Sequence, residues 1–142
     1  MSETTLHDLS KLRAGDSIPA LQIAPISRTT LALYAGASGD HNPIHIDIDF
    51  ARSAGLDDVF AHGMLSAAYV GRLITEWAGH TRIRELAVRF VGITQVHDQP
   101  NLSGKVVERF ESHGEERLRV EVQCANQKGE VKITGEAVVA VA

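Results

Sequence analysis

The chain has 142 residues, of which 44% are hydrophobic and 23% charged, and its net charge at neutral pH is −4. This composition excludes a disordered chain and lacks the basic excess that is typical of proteins that bind nucleic acid. A chain of this length can bury enough surface for one stable core, and we predict a single domain over residues 1–142.

Cys124 is the one cysteine, which excludes an intrachain disulfide and a metal site made of several thiolates. No apolar run approaches the ~20 residues that a membrane-spanning helix needs. Residues 1–15 lack the apolar core of a signal peptide. We therefore expect a cytoplasmic protein with no membrane partner.

Helical patterns dominate the first half of the chain. Ser27 is the predicted N-cap of a first helix, and Gly36 and Gly39 are predicted to end it. Pro43 excludes a continuous helix through the polar segment that follows. A short helix is then predicted from Asp49 to Ala54.

A longer helix is predicted to start near residues 61–63 and to run to about Trp77. Its apolar residues cover nearly all of its faces, which is typical of a helix buried in a core. Three small residues would let another backbone approach it closely: Ala67, Ala68 and Gly71.

Alternation of apolar and polar residues begins near Glu85 and indicates strands with one wet and one dry face. Turn residues at 112–115 and 126–129 separate the last three runs. Cys124 falls on the apolar side of its run, so we predict a small buried hydrophobe there. The predicted apolar positions of these runs are Leu102, Gly104, Val106, Leu118, Val120, Val122, Cys124, Val131, Ile133, Gly135, Ala137, Val139 and Val141. The patterns together predict an α+β fold in which a curved antiparallel sheet wraps around the buried helix.

The densest group of chemically active residues is the segment 38–45, which reads Ser-Gly-Asp-His-Asn-Pro-Ile-His. Asp40 and His45 can face one water molecule if the chain folds back on itself between them. A carboxylate and an imidazole that share a water form a general acid–base device, because either can take or give a proton near neutral pH. In the alternative interpretation, Asp40 and Asn42 only cap turns and His45 only packs.

A metal site is a further alternative for this segment. The order of residues lacks the glycine that an EF-hand loop needs at its sixth position, and Pro43 disrupts the helix that would align His41 with His45. We therefore predict no metal. The potential ligands are Asp40, His41, Asn42, His45, Asp47 and Asp49.

The second motif is the segment 61–65, which places Gly63 at the predicted start of the long helix. The first amides of a helix have no intrahelical acceptor and lie at its positive end, and glycine lets a carbonyl oxygen come close to them. This arrangement suits an oxyanion hole, although Gly63 could equally relieve a tight turn. His62 is compatible with packing or with catalysis.

The stretch 34–45, followed by the segment 61–65 and by Arg89 and Phe90, resembles the MaoC-like (R)-specific enoyl-thioester hydratases and dehydratases. The Ser-Gly-Asp-x-Asn-Pro-x-His core is the most specific part of this resemblance, which covers residues 27–90 closely and the later strands in pattern. The resemblance implies a hotdog fold, in which an antiparallel sheet wraps around a long helix.

The resemblance also implies site residues and partners. Asp40 and His45 would be the catalytic pair, Asn42 would orient them, and the Gly63 amide would receive the thioester carbonyl. The substrate would be a thioester of coenzyme A or of acyl-carrier protein, with no other cofactor, and the subunits would form a homodimer or a heterodimer with a similar chain. The residues expected to bind substrate are Tyr34, His62, Met64, Leu65 and Arg89.

The chain departs from the family pattern after Phe90. Many members have Pro-Val and then a Pro-Gly-Asp turn, where this chain has Ile93-Thr94 and the segment 97–101. This rebuilt turn leaves the preferred acyl length and carrier open. A hotdog thioesterase, a non-catalytic partner subunit and a lipid-binding module remain as alternatives, and the retention of both Asp40 and His45 argues against the partner subunit.

Overall fold

The computed structural model describes residues 7–142. The elements in chain order are β1 (Leu21–Gln22), α1 (Arg28–Ser38), a 3₁₀ turn (Pro43–His45), α2 (Ile48–Ser53), α3 (Gly63–Ala78), a 3₁₀ turn (His80–Arg82), β2 (Ile83–Phe90), β3 (Asn101–Ser112), β4 (Glu115–Ala125) and β5 (Val131–Ala140). The five strands form one antiparallel sheet in the order β1-β3-β4-β5-β2.

The first half of the chain folds as its capping residues predict. The Ser27 hydroxyl accepts a hydrogen bond from the Thr30 amide at 3.0 Å and so begins α1. The helix runs through Gly36 and ends at Gly39, which has φ of 79°, a conformation that favours glycine. Asp47 caps α2 by accepting hydrogen bonds from two amides of its first turn.

The main core lies between α3 and the inner face of the sheet. Apolar side chains of α3 pack there against the inward-facing residues of β3, β4 and β5, each of which is at most 4% exposed. This arrangement confirms the predicted α+β hotdog fold and the predicted burial of Cys124, and burial raises the pKa of its thiol to about 11. The α3 residues are Val70, Leu73, Ile74 and Trp77, and the sheet residues are Leu102, Val106, Leu118, Val120, Val122, Cys124, Ile133, Ala137 and Val139.

Two expectations about burial are wrong. Helix α3 is not buried on all sides: Met64 is 61% exposed, and Ala68, Arg72 and Glu76 continue the exposed stripe at helical spacing. The sheet of this chain covers only the opposite side of the helix, so the apolar pattern alone overestimated its burial.

The second difference is at the start of β5, where Val131 is 36% exposed and Lys132 is 9% exposed, the reverse of the predicted alternation. The register between β4 and β5 shifts between Cys124 and Ala125, opposite this end of β5. A β-bulge of this kind interrupts the period of two.

Candidate active site

The segment after α1 carries Asp40 and His45 to the start of α3. The Ser38 hydroxyl accepts a hydrogen bond from the Asp40 amide at 3.1 Å. Asn42 caps the 3₁₀ turn, because its Oδ1 accepts a hydrogen bond from the Ile44 amide at 3.1 Å. The capping role predicted in the alternative interpretation therefore applies to Asn42, and also to Asp40, whose Oδ1 accepts a hydrogen bond from the Asn42 amide at 3.3 Å. The turn that Asn42 caps holds His45.

His45 is 8% exposed, and its Nδ1 lies 2.7 Å from the Phe60 carbonyl oxygen. A carbonyl oxygen can only accept a hydrogen bond, so Nδ1 carries a proton. In the neutral ring the lone pair is then on Nε2, which is the nitrogen that can take a proton from water.

His62 lies directly behind this pair. Its Nε2 is 3.2 Å from the Asp40 backbone oxygen, and its ring stacks on that of His45 with the centroids 4.0 Å apart. The Tyr34 ring packs edge-on against the His62 ring, with 4.8 Å between the two ring centroids. Burial lowers the pKa of His62 below its usual value.

Asp40, His45 and His62 offer potential metal-ligand atoms that lie within 4.8 Å of one another. The two imidazole planes are only 29° apart in a stack. Imidazole lone pairs lie in the ring plane, so stacked rings direct them side by side rather than toward one ion. The His45 Nδ1 is also committed to Phe60. This geometry suits proton transfer better than metal binding, and the absence of a metal stays a prediction.

Gly63 is the first residue of α3, and the side chain of His62 makes no capping hydrogen bond to the helix. The first amides of the helix are therefore not capped by that side chain. A Cβ atom at Gly63 would lie 3.2 Å from the Phe90 ring, which leaves little room for a side chain there. The helix start can thus present backbone N–H groups to a carbonyl oxygen.

A cavity of about 170 Å³ begins beside Gly63. Most of its wall is apolar, and its two hydroxyl groups, on Ser66 and Thr94, lie 3.4 Å apart. Ser66 follows Gly63 by about one helical turn, a spacing that could have identified it from the sequence. The residues that line the cavity are Phe60, Ala61, Gly63, Ser66, Phe90, Gly92, Ile93, Thr94 and Ile133.

The five residues expected to bind substrate lie outside the lining of this cavity. Leu65 is buried in an apolar cluster beneath α1 and α2, Met64 is exposed, and Tyr34 packs on His62. Arg89 lines a separate groove of about 680 Å³ together with residues such as Gln123 and Thr134. None of these residues, nor His62, lines the cavity beside Gly63, and their contact with substrate stays a prediction. Asp40 and His45 do not line it either, and His45 reaches it only through its contact with Phe60.

Comparisons with known proteins place this chain in a family. Residues 12–128 match the family model of the MaoC like domain. Fatty acid synthase subunit beta of Saccharomyces cerevisiae is 32% identical over 130 residues, which are 89% of this chain and 6% of that subunit. The (R)-specific enoyl-CoA hydratase of Rhodospirillum rubrum is 35% identical over 69 residues, 49% of this chain and 46% of the hydratase. The chain thus spans less than half of the length of either relative.

The fold of one solved structure matches the fold of this chain over most of its length. The R-hydratase PhaJ1 from Pseudomonas aeruginosa, in its unliganded form, matches with a TM-score of 0.82 and 27% identity, over 93% of this chain and 83% of that one. The family model covers both the Asp40–His45 segment and the start of α3. The chain therefore belongs to the MaoC-like dehydratase family, as its motifs predict.

Proposed function

We propose that the protein catalyses the reversible addition of water to a trans-2-enoyl thioester, which gives the (R)-3-hydroxyacyl thioester. One observation carries this proposal: Asp40 and His45 lie together near the start of α3, and His45 contacts Phe60, which lines the apolar cavity beside Gly63. The names of the hydratases to which the chain is similar support the same reaction.

In this mechanism one water molecule lies between the Asp40 carboxylate and His45 Nε2. The water oxygen forms a bond to C3, the π electrons of the C2–C3 bond move toward the thioester carbonyl, and the pair removes one proton from the water. The pair then delivers one proton to C2 of the enolate. We treat Asp40 and His45 as one acid–base unit, because coupled groups need not divide the two transfers cleanly.

The start of α3 would stabilise the negative charge that develops on the thioester oxygen. The Gly63 amide lies at the positive end of this helix and borders the cavity. Removing one donor of an oxyanion hole typically lowers the rate by about 10² to 10³. Hydration leaves the oxidation state of the substrate unchanged overall, so the reaction needs no redox cofactor.

The acyl chain would occupy the cavity lined by Phe60, Phe90, Ile93 and Ile133, whose apolar side chains match a hydrocarbon. The carrier would be coenzyme A or acyl-carrier protein, as part of the substrate.

We also propose that the working form is a dimer, either of two copies or with a similar subunit. Phe90 and Ile93 line the cavity and are still 51% and 48% exposed, so part of the cavity wall is open in one chain. A second subunit against this side would complete the enclosure of the acyl chain.

The experiment that tests the reaction is an assay of the purified protein with crotonyl-CoA. We expect loss of the enoyl absorbance, no release of free thiol, and no rapid NADH formation with an (S)-specific 3-hydroxyacyl-CoA dehydrogenase. Thiol release from a saturated acyl-CoA would instead identify a thioesterase, and rapid NADH formation would refute the (R) stereochemistry. Unchanged enoyl absorbance across short and long chains would indicate a partner subunit or a lipid-binding module.

A further inference from the structure

We propose that His62 is a positioning residue for the Asp40–His45 pair: it holds the Asp40 backbone through its Nε2–H and supports the His45 ring by stacking, without touching the substrate. This inference rests on the proposed hydration.

The position of His62 separates it from a substrate ligand. Its side chain is 1% exposed, whereas His45 is 8% exposed and Asp40 is exposed, so His62 is the least accessible of the three. It nevertheless contacts both members of the pair, at 3.2 Å to the Asp40 oxygen and 4.0 Å between the ring centroids of His62 and His45. The next residue is Gly63, so one buried ring connects the acid–base pair to the start of α3.

The surroundings of the two ring nitrogens of His62 indicate its tautomer. The Asp40 carbonyl accepts a hydrogen bond, so His62 Nε2 carries the proton. Its Nδ1 is buried and has no hydrogen-bond partner among residues 7–142. A proton on Nδ1 would be a buried donor without an acceptor, which is costly, so the neutral Nε2–H form is favoured. A neutral ring can stack on His45 without placing a second positive charge beside the base.

The consequence for catalysis follows from the geometry of the pair. Without the donor at residue 62, the Asp40 backbone loses its tie to the start of α3 and the carboxylate can move relative to His45. A displacement of about 1 Å at a reacting group can lower the rate by about 10². Because His62 is almost fully buried and does not touch the substrate in this proposal, the loss should be in kcat and not in KM.

Two substitutions separate the contacts of this residue. His62→Phe keeps a ring to stack on His45 but removes the donor, whereas Nε2 of Gln in His62→Gln can replace the donor. We expect kcat for crotonyl-CoA to fall about 10- to 100-fold in His62→Phe with little change in KM. We expect His62→Gln, which keeps the donor but loses the stacked ring, to lose less of kcat than His62→Phe. The matched control is His80→Phe, because His80 is exposed in the 3₁₀ turn after α3 and should leave both parameters unchanged.

Several results would overturn this role. Wild-type kcat in a folded His62→Phe variant, an equal loss in His62→Gln, or a rise in KM alone would each contradict it. ¹⁵N NMR of the wild-type imidazoles tests the same geometry even if His62→Phe does not fold, since a proton on Nδ1 of His62 at neutral pH would refute it. The NMR measurement does not require turnover. A wild-type protein without hydratase activity would therefore refute the proposed hydration, whereas the positioning role would still be tested by which ring nitrogen of His62 carries the proton.

Discussion

The two stacked histidines of the site differ in what surrounds their free nitrogen. His45 directs Nε2 away from the Phe60 carbonyl that holds its Nδ1, and in the proposed mechanism this nitrogen exchanges protons with water. The free Nδ1 of His62 is buried among residues that offer it no hydrogen bond in the described part of the chain. The same side chain can therefore serve as an acid–base group in one position and as a fixed neutral support in the other.

The burial of His62 makes stability depend on pH. Its pKa in the folded protein is lowered from the usual 6.5, mainly by burial, so the unfolded chain binds a proton more readily than the folded one. This group therefore destabilises the fold as the pH falls below about 6.5 toward the lowered value. We expect the free energy of unfolding to decrease from pH 7 to pH 5, and to decrease less in His62→Gln. Urea titrations of both proteins at several pH values measure this difference, and identical slopes would contradict it.

Asn42 should affect catalysis through the turn that it caps. Asn42→Ala removes the acceptor for the Ile44 amide, a change that costs about 1 kcal/mol at helix caps, but it leaves Asp40 and His45 in the chain. We expect turnover to fall less than in Asp40→Asn, and Asn42→Asp to retain more because Asp is an equally good cap. Steady-state rates of the three variants test this order, and a loss in folded Asn42→Ala as large as that of Asp40→Asn would give Asn42 a more direct role.

At the scale of elements, the loop between β2 and β3 forms one wall of the cavity and is held by Lys132. The Lys132 carbonyl accepts hydrogen bonds from the amides of Val91 and Gly92. Its ammonium lies 3.9 Å from the carboxylate of Asp98, which is 8% exposed and accepts a hydrogen bond from the Gln95 amide.

Lys132→Met should therefore destabilise the loop between β2 and β3 that forms one wall of the cavity. It leaves the buried Asp98 charge without its cation, and an unpaired buried group of this kind costs about 1–3 kcal/mol or more. We expect a lower free energy of unfolding and a changed ratio of kcat/KM between short and long enoyl-CoA chains. Lys128→Met is the control, because Lys128 is exposed on the neighbouring turn. Wild-type selectivity and stability in Lys132→Met would show that the loop does not depend on this contact.

The junction of β2 with β5 requires a glycine at position 135. A Cβ atom there would clash with the Ala87 carbonyl oxygen of the neighbouring strand and would lie 3.3 Å from the Val122 side chain. We expect Gly135→Ala to destabilise the fold by about 1–3 kcal/mol. Gly36→Ala is the matched control, because a Cβ at Gly36 meets no atom within 4 Å and alanine favours a helix by up to about 1 kcal/mol. Thermal unfolding of both variants tests the contrast, and equal melting temperatures would refute it.

The sequence predicted the α-helices and strands β3 to β5 well because each has a local signal. It did not predict the two-residue strand β1, and β2 is mostly exposed and lacks the predicted wet and dry faces. Ser27 and Gly39 mark the ends of α1, and alternation of residues marks β3 to β5. The wall of the cavity has no local signal, because Phe60, Ser66 and Ile133 come from distant segments that only the folded sheet brings together. The exposure of Met64 and the burial of Lys132 likewise depend on what packs against them, which periodicity does not report.

At the scale of the whole molecule, exposed apolar residues lie on and beside β2, which is an edge strand of the sheet. These residues are Leu86, Phe90, Val91 and Ile93, at 41% to 51% exposed. An exposed apolar patch at an unpaired sheet edge is typical of an interaction surface. We therefore expect light scattering at micromolar concentration to give about twice the 15.4 kDa mass of the chain, and Phe90→Glu to reduce it. A stable 15.4 kDa species in the unaltered protein would contradict self-association and leave a different subunit as the partner.

The central claim is that Asp40 and His45 act together on one water molecule, and a double-mutant comparison tests it most directly. Asp40→Asn and His45→Gln keep the approximate size of each side chain and remove its ability to transfer a proton, which typically costs about 10² to 10⁴ in rate. The measurement is kcat for enoyl-CoA hydration in both single variants and the double variant, with circular dichroism to establish folding. We expect a large loss in each single variant and little further loss in the double variant, because groups that act as a unit are not additive. Near wild-type kcat in either folded single variant, or losses that multiply fully in the double variant, would contradict the shared water.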